Sequence, residues 1–199
     1  MGDARGSGRS VFAKFGLTVA LLAGISGRPA SAATLTWPGL APCATTLQAC
    51  VTGAGSTDIV EIASNGPIVE NLTIDKSLTL RPAAGFSPVI DGFQFLQSTA
   101  TPATISVDSL TFNGRLRAAP GTADLTVNLT NNTVTTTGSF GVAIDISSGT
   151  FPPYGNVHSV VEGNTVNVTG GGVGDQCGGI GVGVISDSGA STARVANNV

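Results

Sequence analysis

Few side chains in this 199-residue chain are of types that do chemistry, and they lie far apart. Asp145 stands between two apolar residues in Ile144-Asp145-Ile146. That alternation turns its carboxylate outward and makes it a candidate proton carrier in a groove, against the plainer reading of a solvated strand residue. His158, the single histidine, follows Pro152-Pro153-Tyr154 in what reads as a loop. An imidazole titrates near neutral pH, so it is the second catalytic candidate, although no acidic orienter is evident beside it. Arg115 and Arg117, also read as loop residues, have the forked N–H geometry that grips a carboxylated sugar; two solvated arginines are the alternative. Tyr154 offers a ring for stacking on a sugar, as does Trp37, which is expected instead to pack beside the N-terminal capping segment. Asp175 and Asp187 flank the Gly-rich stretch 170–183 and are candidate calcium ligands together with loop carbonyls. The calcium nonapeptide Gly-Gly-x-Gly-x-Asp is not met there: Asp175 falls one position early and Gly183 stands where the downstream acid belongs. Asn71, Asn128, Asn131 and Asn167 head Asn-x-Thr sequons, which arise by chance in a chain this rich in Asn and Thr.

The elements that must position these residues are short. Charged residues make up 11% of the chain, under half the usual share, while 28 glycines are about twice the average. With positive mean hydropathy this excludes charge-driven disorder, and the shortage of Glu, Lys, Ala and Leu excludes a coiled coil or helical bundle. An acidic isoelectric point disfavours nucleic acid as a partner. After one short helix from about Thr46 to Ala54, alternating runs follow one another. They are Asp58–Ala63, Ile68–Ile74, Ser77–Leu80, Pro88–Ile90, Thr104–Val107 and Leu110–Phe112, then Leu125–Leu129, Val142–Ile146, Val160–Val161, Thr165–Val168 and Ile180–Ile185. Asn65-Gly66 and Asn113-Gly114 leave local hairpins open.

A repeat organises these runs. Asn132-Thr-Val134, Asn164-Thr-Val166 and Asn197-Asn-Val199 share Asn-x-Val at intervals near those of solenoid proteins, each after a short strand. Stacked coils pair every strand in parallel with its equivalent one turn away. Val127, Leu129, Val142, Ile144, Ile146, Val166, Val168, Ile180, Val182 and Val184 then point inward. Asn128, Thr130, Ala143, Asp145, Asn167, Gly181 and Gly183 point outward. The repeated Asn is expected to take the left-handed conformation at a bend and to join its amide to the next coil in a ladder. The end of such a stack exposes apolar core, and the helix, with Leu47, Cys50, Val51 and Ala54 on one side, is suited to cover it.

Residues 1–32 read as a secretory signal peptide. Arg5, Arg9 and Lys14 precede the apolar run Phe15–Ile25, and Ala30-Ser31-Ala32 fits a cleavage site before Ala33. The uncharged run is too short to span a bilayer, and no membrane span is expected after cleavage. Removing the signal leaves five basic and eleven acidic side chains, a net charge of −6, which repels polyanions in general. Export also permits disulfides. Cys43 and Cys50 in one continuous helix would sit about 10.5 Å apart along its axis, too far to bond. A capping box of Thr45 and Gln48 instead starts the helix after Cys43, so that Cys43 folds back towards Cys50; a buried free Cys50 is the alternative. Cys177 has no evident partner.

The run Thr45-Thr-Leu-Gln-Ala-Cys50, then Asp58-Ile-Val-Glu-Ile-Ala63, then Ile68–Leu80, ending Pro88-Val-Ile-Asp-Gly92, resembles the N-terminal cap and first coils of right-handed parallel β-helix proteins of the pectin-lyase-like superfamily. The resemblance covers Thr45 to Gly92, and beyond it the similarity is to generic β-helix repeats. It implies an all-β, right-handed parallel β-helix with a short N-terminal capping helix, occupying residues 33–199 and expected to continue past Val199. It makes Asp75 and Lys76 turn residues of the cap coil.

Family membership alone does not give function. The superfamily's polygalacturonase motifs Asn-Thr-Asp, Asp-Asp, Gly-His-Gly and Arg-Ile-Lys are absent, as are clustered calcium-binding Asp residues and the esterase Gly-Arg-Pro-Trp. The expectation is a secreted or surface-exposed, adhesin-like β-helix that binds polysaccharide, cell-surface glycan or other surface partners, with no cofactor unless calcium. The alternative is a polysaccharide lyase or glycoside hydrolase whose active face lies downstream of residue 199.

Overall fold

The computed structural model describes residues 31–137, 142–147, 155–169, 180–183 and 191–199. Tyr154, Asp175, Cys177 and Asp187, together with nearly all of the signal-like segment, lie outside them.

β1 (Thr34–Trp37) is followed by the single short helix α1 (Leu47–Gly53), and then strands come in threes. The first round is β2 (Ile59–Ile62), β3 (Pro67–Val69) and β4 (Leu72–Ile74); the second is β5 (Leu78–Pro82), β6 (Val89–Asp91) and β7 (Gln94–Gln97). The third is β8 (Ala103–Asp108), β9 (Thr111–Asn113) and β10 (Leu116–Ala119); the fourth is β11 (Leu125–Thr130), β12 (Thr133–Thr137) and β13 (Ile144–Ser147). Then come β14 (Val157–Glu162), β15 (Thr165–Thr169), β16 (Ile180–Gly183) and β17 (Thr192–Ala196). The chain visits three sheets in fixed rotation: β1-β2-β5-β8-β11-β14-β17, β3-β6-β9-β12-β15 and β4-β7-β10-β13-β16. Every pairing between described strands is parallel, so neither Asn-Gly dipeptide closes a hairpin. The architecture is mostly β, in three stacked parallel sheets compatible with a β-helix.

Apolar rows run through the stack because the register repeats. Ile105, Val127 and Ser159 are successive partners, as are Val107, Leu129 and Val161. Each buried Leu, Ile or Val contributes on the order of 2 kcal/mol by leaving water. Val127, Leu129, Ile144 and Ile146 are buried as expected, and Val166, Val168 and Ile180 pack against the core half-buried. Ala143, expected to face outward, is fully buried at the bend before β13, where its carbonyl accepts from Leu116 N at 2.8 Å. The expected strand Ile68–Ile74 is two strands, because the backbone turns at Glu70-Asn71 from one sheet to the next.

The repeat period is not uniform. Leu110 and Asn132 stand 22 residues apart, Asn132 and Asn164 stand 32, and Asn164 and Asn198 stand 34. The two tasks expected of one asparagine are divided between neighbours. Asn131, Gly163 and Asn197 take positive φ of 57°, 69° and 53°, while the following Asn132, Asn164 and Asn198 form the ladder. The third repeat is therefore Asn198, not Asn197. Oδ1 of Asn164 accepts from both the backbone N and the Nδ2 of Asn132, and Oδ1 of Asn198 does the same for Asn164. Burial of Asn132 and Asn164 is tolerated because every amide hydrogen finds a carbonyl.

The helix is held at both ends by the first round. Thr46, not Thr45, is the N-cap, its hydroxyl accepting from Ala49 N at 3.0 Å. Gln48 does not complete a capping box; it clamps Thr73 by accepting from its N and donating to its O. The carboxylate of Glu70 takes the free N–H groups of Leu47 (3.0 Å) and Gln48 (2.9 Å). At the other end Lys76 Nζ donates to the carbonyls of Thr52 and Ala54. Leu47, Cys50, Val51 and Ala54 join the common core, and Cys43 and Cys50 form the expected disulfide. Trp37 packs against the core and donates from Nε1 to Thr45 O, in line with a structural role.

Candidate functional site

The outer face of the sheet containing β4, β7, β10, β13 and β16 carries a stacked aromatic pair beside charged side chains that interact across strands. Leu72, Gln94, Leu116 and Ile144 form an inward row; their successors Thr73, Phe95, Arg117, Asp145 and Gly181 form an outward row in direct register. One position earlier, Phe93 and Arg115 leave the bend, their carbonyls accepting from Leu72 N and Gln94 N. The bend itself requires glycine. Gly92 and Gly114 have φ of +144° and +151°, and a Cβ on Gly114 would lie 2.0 Å from Gly92 O.

Phe93 and Phe95 stack, with ring centroids 6.2 Å apart and planes 20° from parallel. Phe93 is 39% exposed, so the pair presents apolar surface to solvent. On the next strand Arg115 donates from its guanidinium to Asp145 Oδ2, and Arg117 Nε lies 3.7 Å from the same oxygen. Two cations thus share one carboxylate. The Nε atoms of both arginines are buried without a hydrogen-bond partner, a costly state for a charged donor.

Three of the expected site residues, Arg115, Arg117 and Asp145, are therefore brought together. Arg117 lies within β10 and is not a loop residue, whereas Arg115 stands in the bend immediately before it, as expected; the alternation Leu116, Arg117, Ala118 follows the strand period. Asp145 does face outward, and its Oδ2 is shared by the two guanidiniums. His158 is elsewhere. It is the second residue of β14, not part of a loop, in register with Thr126 and Thr192, and its Nδ1 is 2.9 Å from Thr192 Oγ1. The buried Ser159 beside it occupies an inward position, which hides the alternation that would reveal the strand. Tyr154, Asp175 and Asp187 fall outside the described residues, among which no group of three His, Cys, Asp or Glu side chains could hold a metal.

Sequence reasoning missed Phe93 and Phe95 and the strands β7 and β10 that position the site. A signal exists: Asp91-Gly-Phe-Gln-Phe-Leu96 and Asn113-Gly-Arg-Leu-Arg-Ala118 are the same pattern one round apart. The 22-residue step between them is also that of the bond from Asn113 Nδ2 to Asp91 Oδ1, 2.8 Å. Also missed was a polar row on the sheet led by β1. There Asp108 accepts from Thr130 Oγ1 (2.5 Å), Ser109 Oγ (3.0 Å) and Asn131 Nδ2 (3.2 Å). Burial pushes the Asp108 carboxyl up, but these donors and the charge of Arg81 outweigh it and hold it below its ordinary value.

No protein-family model matches this chain, and no curated protein and no solved structure shows significant similarity to it. No helix among the described residues is long and apolar enough to cross a membrane.

Proposed function

We propose that this chain is an exported, right-handed parallel β-helix of the pectin-lyase-like kind that binds carbohydrate on the outer face of the β4-β7-β10-β13-β16 sheet. The fixed rotation through three parallel sheets and the cap at one end support the fold reading, and right-handed crossovers are the rule for parallel strands. The signal-like start and the Cys43–Cys50 bond support export. The observation that carries the binding reading is the stacked, open Phe93–Phe95 pair one strand away from Arg115, Arg117 and Asp145. Flat rings cover the apolar face of a sugar while forked N–H donors and a carboxylate meet its hydroxyls.

A panel of soluble oligosaccharides titrated into the purified chain tests this. Binding should appear in the wild type and fall about tenfold or more in Phe95→Ala, with unchanged circular dichroism. Absence of binding across the panel, or an unaffected Phe95→Ala variant, defeats the assignment. Turnover of pectin, polygalacturonate or alginate, with or without calcium, would replace a binding role by catalysis.

A further inference from the structure

The charge of this face specifies more than carbohydrate. Nine carboxylates and five cationic side chains lie among the described residues. Three of the cations are already engaged: Lys76 with the helix carbonyls, Arg81 with Glu61 at 2.7 Å, and Arg194 with Glu162 at 3.2 Å. Arg115 and Arg117 differ, because two guanidiniums meet the single carboxylate of Asp145. Among the described residues one positive charge is left over, on a surface whose balance is otherwise acidic. It lies next to the exposed aromatic pair, and the Arg115 and Arg117 side chains keep 33% and 42% of their surface open to solvent. An isolated cationic slot of this kind accepts one anionic oxygen group and offers nothing to a second.

Resting on the carbohydrate reading above, we infer that the face selects a glycan carrying one acidic substituent on an otherwise neutral chain, and discriminates against polyanionic glycans. The neutral sugar lies against Phe93 and Phe95, and the acidic group reaches the guanidiniums one strand further on. Asp145 acts as an internal competitor for the same donors, offsetting one of the two positive charges when the slot is empty. Repeated charges along a polyuronate meet no second cation on the neighbouring positions Asn71, Thr73 or Gly181, and are repelled by the remaining carboxylates.

The test titrates the whole chain with three tetrasaccharides at one fixed ionic strength: xylotetraose, xylotriose bearing a single glucuronosyl group, and tetragalacturonate. The singly acidic sugar should bind about tenfold more tightly than xylotetraose, as expected for one charge-assisted contact, and more tightly than tetragalacturonate. Arg117→Gln should collapse the ratio between the acidic sugar and xylotetraose, and Arg117→Lys should retain part of it. Asp145→Asn should raise affinity for the acidic sugar several-fold, an effect opposite in sign to that of a merely structural ion pair. Equal binding of xylotetraose and its acidic analogue overturns the inference while leaving the carbohydrate reading intact. So does tightest binding of tetragalacturonate, or a loss of affinity in a folded Asp145→Asn variant. If none of the three sugars binds, the carbohydrate reading and the inference fall together.

Discussion

Arg117 and Asp145 are direct register partners on adjacent parallel strands, their side chains rising from the same outward row with Nε and Oδ2 3.7 Å apart. Arg115, 30 residues before Asp145, completes the group from the preceding bend. The arrangement depends on stacking, since nothing local to either strand brings the three together.

Asn164 is the centre of the amide ladder, donating to Leu129 O and Asn198 Oδ1 and accepting from Asn132. Asn164→Ala should cost roughly 3 kcal/mol, because it strands buried donors and acceptors in the rounds on either side. Asn198→Ala, at the ladder's described end, should cost less. Chemical denaturation of both variants measures the difference, and equal costs would contradict a cooperative ladder.

Gln94 is the exception in its apolar row. It is 2% exposed, its Oε1 has no partner, and its Nε2 reaches Glu70 O only at 3.4 Å. A small cavity of about 10 Å³ lies beside it, lined by Leu72, Leu96, Phe112 and Leu116 among others. Gln94→Leu should stabilise the protein by about 1 kcal/mol by removing an unsatisfied acceptor from an apolar site. A lower denaturation midpoint in this variant would show that the amide is fully satisfied in solution.

Glu70 joins the helix to the sheets. Glu70→Ala leaves the N–H groups of Leu47 and Gln48 without their acceptor and should destabilise the cap by about 1–2 kcal/mol. Amide hydrogen exchange should rise first in Leu47–Gly53 and in β4, before the β11 and β14 strands respond. Uniform acceleration across all strands would mean that the cap and the stack unfold as one unit.

Asp108 provides a pH signature. Burial raises its carboxyl pKa, but the Thr130, Ser109 and Asn131 donors and the Arg81 charge bring it below the ordinary 3.8. A carboxyl lowered on folding stabilises the native state at pH values above its unfolded pKa, and that contribution disappears as pH falls through the folded value. Asp108→Asn should therefore be less stable than wild type at pH 7, with the gap narrowing below about pH 4. Unfolding curves at the two pH values check this; a gap that widens in acid would reverse the assignment.

Much of the framework was legible in local pattern. Alternation in Leu125–Leu129 and Ile144–Ile146 marks strands because the period of two follows from pleating alone. The fold-back of Cys43 onto Cys50 was legible from helix geometry. The cap stands one residue later than expected: Thr46 is the N-cap, and Glu70, distant in sequence, takes the N–H groups of Leu47 and Gln48. β7 and β10 are legible only when the two are compared one round apart, because each is four residues long and Gln94 interrupts the inward row of the first.

The sequence by itself determined that this chain builds short parallel-stacking strands with an apolar interior, an asparagine repeat and a capped beginning. Those properties depend on residues close along the chain. Which side chains share a face was decided only in the tertiary structure. In a parallel stack, neighbours on a face are one full round apart, and between register partners such as Ile59 and Thr79, Arg117 and Asp145, or Ile144 and Ile180 a round takes from 20 to 36 residues, according to how long its bends are. Bend length carries little energetic cost and leaves no periodic trace, so Arg115, Arg117 and Asp145 meet through register rather than motif.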